Sequence, residues 1–204
     1  MKKILVEYPK FSQLRDGSKI CLRPMNKKDK PGLIKLFKKL SATDRLYLRD
    51  DVSREDVIEK WVKHLDYEKV FPIFVEKDGD IIGDATLHME QYGWKKHLGE
   101  IRIVVSPECR NLGVGTVLAK EIFYVALKMN LRKLVAEVMS EQKDAINVFE
   151  RLGFIQEAVL RCHVLDSKSR EHDLVIMTND VEELWQSIQN NNELFNFPGN
   201  MTEN

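Results

Sequence analysis

The chain has 204 residues, which fits one domain at the usual ~150 residues per domain. With 43% hydrophobic and 31% charged residues, fibrous, low-complexity and wholly disordered classes are excluded. Lys+Arg and Asp+Glu both number 32, so no net charge draws the chain onto nucleic acid or an anionic membrane.

Residues 1–18 read as a loose basic arm that ends in the turn signal Asp16-Gly17. Lys19 to Arg23 alternates as a strand does, and Pro24 closes it. A helix is expected from Asn26, with Pro31 in its first turn and Leu33, Ile34, Leu36, Phe37 and Leu40 on one face. Ser41 offers an N-cap for a short helix through Leu46 and Leu48, and Ser53-Arg54-Glu55-Asp56 starts a third helix.

The period then changes. Phe71 to Glu76, the turn Asp78-Gly79 and Ile81 to Met89 read as a hairpin, and Leu98 to Val105 as a further strand. Leu112 to Met129 is a long helix, Leu134 to Val138 a short buried strand, and Asp144 to Leu152 a helix stopped by Gly153. Phe154 to Leu165 and His172 to Thr178 form a long hairpin, and Val181 to Ile188 a last helix before a disordered tail. This order describes one α/β domain over residues 19–180, flanked by the arm 1–18 and by residues 181–204. Its mixed sheet is antiparallel at the start, with one parallel step in the middle.

No stretch approaches the ~18 consecutive apolar residues of a membrane helix, and Glu7 cuts short the only apolar run near the start. A cytoplasmic location and no membrane partner follow as expectations. Cys21, Cys109 and Cys162 are odd in number and far apart, with no C-x-x-C spacing, and no histidine pair has H-x-x-x-H spacing. Neither a disulfide framework nor a metal site is expected.

The chemistry concentrates in Glu100 to Thr116. A strand leads into a turn carrying Arg110, Asn111, Leu112, Gly113, Val114 and Gly115, and the long helix follows. A helix N-terminus leaves backbone N–H groups unpaired and attracts phosphate. Glycines at 113 and 115 would let a pyrophosphate approach the backbone, and Arg110 could add a charge-assisted bond. A Walker A loop is excluded because Thr116 and Val117 follow Gly115, and a dinucleotide fingerprint because position 118 is Leu118.

Arg110-Asn111-Leu112-Gly113-Val114-Gly115 resembles the R/Q-x-x-G-x-G/A signature of the GNAT superfamily of acyl-CoA-dependent N-acyltransferases. Asp144 to Phe154, a helix ending in Leu152-Gly153-Phe154, is similar to that family's second landmark. Asp16-Gly17 through Arg23-Pro24, with Asp29 and Arg45 to Arg49, also resembles the GNAT domain of Pat-type protein-lysine acetyltransferases. The resemblance implies a splayed parallel strand pair and acetyl-CoA as co-substrate. Val104 and Val105 would bind the pantetheine arm, and the amides from Arg110 to Thr116 (Arg110, Asn111, Leu112, Gly113, Val114, Gly115, Thr116) the pyrophosphate. Phe149 would flank the thioester or else serve as a core aromatic. Glu100 stands where many members place a general base, although an exposed ion pair is the alternative reading. Many relatives carry a tyrosine acid at the place of Phe149, which has no proton to give, so that role stays open between Cys109, Tyr124 and solvent.

The implied activity is direct transfer of acetyl to an amine in a ternary complex, the acceptor being a protein lysine, an N-terminus or a small amine. A covalent route through Cys109, next to a helix N-terminus, is the minor variant. A non-catalytic acyl-CoA-binding regulatory module is the alternative function, and a homodimer stays open.

Overall fold

The computed structural model describes residues 1–166, 168–183 and 186. Its eight strands are β1 (Lys10–Gln13), β2 (Lys19–Pro24), β3 (Val70–Lys77), β4 (Asp80–Met89), β5 (Leu98–Val105), β6 (Lys133–Met139), β7 (Ile155–Leu165) and β8 (Glu171–Asp180). They form one sheet in the order β1-β2-β3-β4-β5-β6-β8-β7, and every pair is antiparallel except β5 with β6. The expected parallel step is therefore present, with β8 inside the sheet and β7 at its edge.

Strand alternation sorts the sheet into two faces. Ala85 and Leu87 of β4 and Ile101 of β5 are buried against α5 (Val114–Lys128), whose Val114, Leu118, Ala119, Ile122 and Val125 are also buried. The four larger side chains, Val114, Leu118, Ile122 and Val125, contribute on the order of 1.5–3 kcal/mol each, so α5 is anchored mainly by this stripe. α6 (Lys143–Arg151) packs on the same side through Ile146 and Phe149. Helices α2 (Lys30–Lys38), α3 (Ala42–Leu46) and α4 (Glu55–Lys63) follow β2, and a second apolar cluster joins Leu33, Leu36, Phe37, Ile58 and Val62 to Phe74 of β3.

Local signals place α3 as its residues predict, whereas α2 begins at Lys30 rather than at the expected Asn26. Ser41 Oγ accepts the Asp44 N–H at 3.0 Å, and the Asp44 carboxylate accepts the Ser41 N–H in return, closing a capping box at α3. Asp29 makes no cap for α2. Instead it is buried and receives both guanidinium nitrogens of Arg23 at 2.8 Å, which fixes the end of β2 against the start of α2.

The first residues differ from the expected loose arm. A one-turn helix α1 (Lys2–Leu5) buries Ile4, and β1 pairs with β2. The cause is Glu121 in the middle of α5, a carboxylate only 1% exposed. Tyr8 donates to it at 2.6 Å and Lys10 at 2.7 Å, while Tyr124 donates to Glu7 at 2.5 Å. A buried carboxylate needs such partners, and the chain start supplies them. Most of the helix expected over Val181 to Ile188, and the tail beyond it, lie outside the described residues.

What positions the site is a fork between β5 and β6. β5 pairs with β4 over seven residues, from Gly99 to Val105, but with β6 only at Leu98, Glu100 and Gly99 between them. From Ala136 onward β6 pairs with β8 alone among the described strands. The backbone edge of Ile101 to Val105 is thus left without a strand partner on the β6 side.

Candidate active site

At the open end of this fork the chain turns through a 3-10 segment, Pro107–Cys109, before α5. Asn111 has φ +63° and Gly113 φ +94°, both in the left-handed region, and the double reversal aims the first amides of α5 outward. Val117 N–H donates to Gly113 O at 3.0 Å, whereas the N–H groups of Val114, Gly115 and Thr116 meet no backbone acceptor among the described residues. A Cβ placed on Gly115 would lie 3.7 Å from Val105 Cγ2, so Gly115 is set directly beside the free edge of β5. Unpaired amides, a helix dipole and an open strand edge converge here, and this donor set fits a pyrophosphate with an amide-bearing arm.

Three cations rim the turn. Arg15 N–H donates to Leu112 O at 3.2 Å, and its side chain covers Gly113, where a Cβ would come 3.6 Å from Arg15 Cγ and Nε. Arg110 Nη2 is 2.7 Å from Asp44 Oδ1 on α3, so its side chain is already engaged away from the amides. Lys39 Nζ pairs with Glu108 at 2.9 Å. Farther along α5, burial and the nearby Arg15 charge push Lys120 below the usual ammonium range. The Cys109 thiol is pushed up by burial, with Lys77 and Lys39 opposing it, which disfavours the thiolate that a covalent route needs.

The other end of β5 carries Glu100, which sits opposite His88 of β4 and beside Val135 of β6, the last paired position of the fork. Its Oε1 accepts from Arg102 Nε at 2.8 Å and lies 3.0 Å from Arg49 Nη2. Arg49 also pairs with Glu137 of β6, so one guanidinium bridges both arms of the fork. His88 lies within 3.0 Å of Thr86 Oγ1, and burial, with Arg102 second, drives its pKa down to about 4. It is neutral at pH 7.

Between the sheet and α2 and α4 is a cavity of about 550 Å³. Phe37, Val52 and Trp61 form its outer wall, and Asp84, Arg102 and Val104 its floor. Asp84 and Val104 are direct cross-strand partners. Asp84 is 8% exposed, its Oδ1 has no hydrogen-bond partner, and burial raises its pKa to about 7. The strand run Ile81-Ile82-Gly83-Asp84-Ala85 contains this carboxylate among buried neighbours, the one signal that could have found it from sequence.

The expected site residues are therefore distributed as follows. Val104, Val105 and the turn from Arg110 to Thr116 lie together at the open fork, Val104 facing the cavity and Val105 facing α5. Glu100 lies at the closed end. Phe149 is 6% exposed and packs edge-on against Phe154 at 4.9 Å between ring centres, which is the environment of a core aromatic. Tyr124, tied to Glu7, serves the chain start. Sequence reasoning missed Arg15, Arg49, Asp84 and Arg102, which belong to the site only through pairings made by the fold. Among the described residues no cluster of His, Cys, Asp or Glu could hold a metal ion, and no helix is long and apolar enough to cross a membrane.

Comparison with known proteins adds the following. The family model for GNAT acetyltransferases matches residues 35–154, more than half of the chain. Spermidine N(1)-acetyltransferase of Escherichia coli K12 is 26% identical over 142 residues, covering 69% of this chain and 75% of the relative. The N-alpha-acetyltransferase of Sulfurisphaera tokodaii is 29% identical over 121 residues, covering 53% and 70%. Among solved structures, the GNAT domain of S. lividans PAT superposes with a TM-score of 0.72 at 19% identity, over 85% of this chain and 97% of that one.

Proposed function

The chain belongs to the GNAT family of acetyltransferases, which use acetyl-CoA, and from that premise we propose that it acetylates a small primary amine with an apolar body. The observation that carries the acceptor class is the cavity of about 550 Å³, walled by Phe37, Val52 and Trp61 and floored by polar groups of β4 and β5. A volume of this size takes a small molecule, and its apolar outer wall suits a hydrocarbon segment better than the flexible surface of a protein substrate. The relatives named above are a spermidine N(1)-acetyltransferase and an N-alpha-acetyltransferase, so an amine acceptor is common to them and its identity is not.

In this reading the amides of Val114, Gly115 and Thr116 bind the pyrophosphate, and the unpaired edge of Ile101 to Val105 binds the pantetheine arm as an added strand would. The thioester is then brought alongside β5, next to the cavity through Val104. Both substrates are held at once, so transfer is direct. Arg49, by pairing with Glu100 and Glu137, holds the two arms of the fork at a fixed separation.

The test is calorimetric titration with acetyl-CoA followed by a thiol-release assay with 2-phenylethylamine, spermidine and an alanine-initiated hexapeptide. Micromolar acetyl-CoA binding with thiol release on 2-phenylethylamine or spermidine is expected. Release on the peptide alone would overturn the small-amine reading.

A further inference from the structure

We propose that Asp84, rather than Glu100, is the group that receives the proton of the incoming amine. The inference rests on the cavity being the acceptor site.

Asp84 is on the cavity floor directly across from Val104, and Glu100 is not among the residues that line the cavity. Glu100 lies four positions before Val104 on β5, about 13 Å along the strand at ~3.3 Å per residue. A single bound nitrogen therefore cannot reach both carboxylates. An amine in the cavity meets Asp84.

The Glu100 carboxylate is held by Arg102 and Arg49, which occupy its lone pairs. Asp84 Oδ1 is buried and meets no hydrogen-bond partner. Among the described residues the other buried side-chain polar atom in this condition is Ser106 Oγ, whose backbone N–H donates to Ile82 O, two positions from Asp84 on the same strand. Two orphaned buried polar atoms on one strand pair are costly for the protein alone and mark a place where a polar ligand belongs.

A base works best when its pKa lies near the operating pH, and burial brings Asp84 to about 7. His88, at about 4, is the poorer proton acceptor on the same strand. The other titratable groups around the cavity are Arg102 on β5, Arg49 and Asp50 after α3, and Lys60 and His64 at the end of α4, with Asp66 and Lys69 before β3. Burial is the cause of the rise at Asp84.

The step balances as follows. The ammonium gives one proton to Asp84 Oδ1, and the freed nitrogen lone pair forms the N–C bond to the thioester carbonyl carbon. The C–S bond breaks with its electron pair passing to sulfur, which takes the second proton from nitrogen. Asp84 then releases its proton to solvent.

Asp84→Asn and Glu100→Gln are compared with the parent by thiol release on 2-phenylethylamine and spermidine across pH, with acetyl-CoA affinity as the control for folding. The expected result is a kcat loss of about 10²–10⁴ for Asp84→Asn with unchanged acetyl-CoA affinity, and a loss of less than about tenfold for Glu100→Gln. The limb of the parent's profile that rises through about pH 7 disappears in Asp84→Asn. The reverse ranking of the two variants overturns the proposal. Carbon-13 NMR of aspartate-labelled protein reads Asp84 independently of turnover. A carboxyl titrating near neutral pH in the parent and absent from Asp84→Asn supports the assignment, and its absence from the parent overturns it. Failure of every acceptor with the parent would instead overturn the small-amine reading, leaving that NMR signal to decide Asp84.

Discussion

Arg110 and Asp44 lie 2.7 Å apart and join the turn before α5 to the capping box of α3. The arginine that opens the glycine-bearing turn thus spends its charge on an intramolecular partner. Arg110→Ala is expected to weaken acetyl-CoA binding by less than about tenfold, because the turn amides remain, and to cost less than about 1 kcal/mol of stability, as half-exposed ion pairs do. Titration calorimetry and urea unfolding check the two parts, and a loss of binding beyond about a hundredfold would assign the side chain to the phosphates after all.

The two glycines of the turn should respond differently. Gly113 has φ +94°, so Gly113→Ala strains the backbone by about 1 kcal/mol and misaims the amides that follow. Gly115 is within α5, and a Cβ there meets Val105 at an ordinary 3.7 Å. Gly115→Ala should therefore leave stability equal or raise it by up to about 1 kcal/mol, as Gly-to-Ala does in helices. Its acetyl-CoA affinity should nonetheless fall, because the methyl group occupies the ligand's approach. Melting temperature and calorimetric Kd, measured together, separate strain from obstruction.

Lys10 and Glu121 carry a test of the chain start. Lys10→Met leaves the Glu121 carboxylate buried with Tyr8 as its remaining donor. Breaking a buried pair from one side costs about 3 kcal/mol or more. Urea unfolding should show that loss, and Lys10→Met combined with Glu121→Leu should recover most of it.

Asp84 and His88 predict opposing pH slopes of stability. Between about pH 4 and 7 the folded chain keeps a proton on Asp84 that the unfolded chain has lost, so this group lowers stability as pH rises through that window. His88 is neutral in the fold down to about pH 4, while the unfolded chain binds a proton below its ordinary value of 6.5, so this group raises stability as pH rises to 6.5. Each slope is at most about 1.4 kcal/mol per pH unit. The two slopes oppose each other in the parent, so Asp84→Asn should leave a urea midpoint that rises between about pH 4.5 and 6.5, and His88→Asn one that falls.

Most of the fold was legible because its signals are local. Period, capping residues at Ser41 and turn pairs such as Asp78-Gly79 placed α3, β3 and β4 close to where they are. The glycine turn was legible for the same reason. Residues 1–18 were misread as loose because their order depends on Glu121, about 110 positions away, and no local pattern announces a buried carboxylate in a helix that otherwise reads as apolar. The proposed acceptor side was hidden likewise. Asp84, Arg102 and Arg49 come from three separate elements, and only the β4–β5 register and the fork assemble them.

The hydrogen bond from Arg15 to Leu112 ties the turn between β1 and β2 to the glycine turn proposed to hold the cofactor. The two turns are thus mechanically continuous. Whatever pulls on that hairpin, a fused partner or a protease cut beyond Gln13, acts on the glycine turn directly.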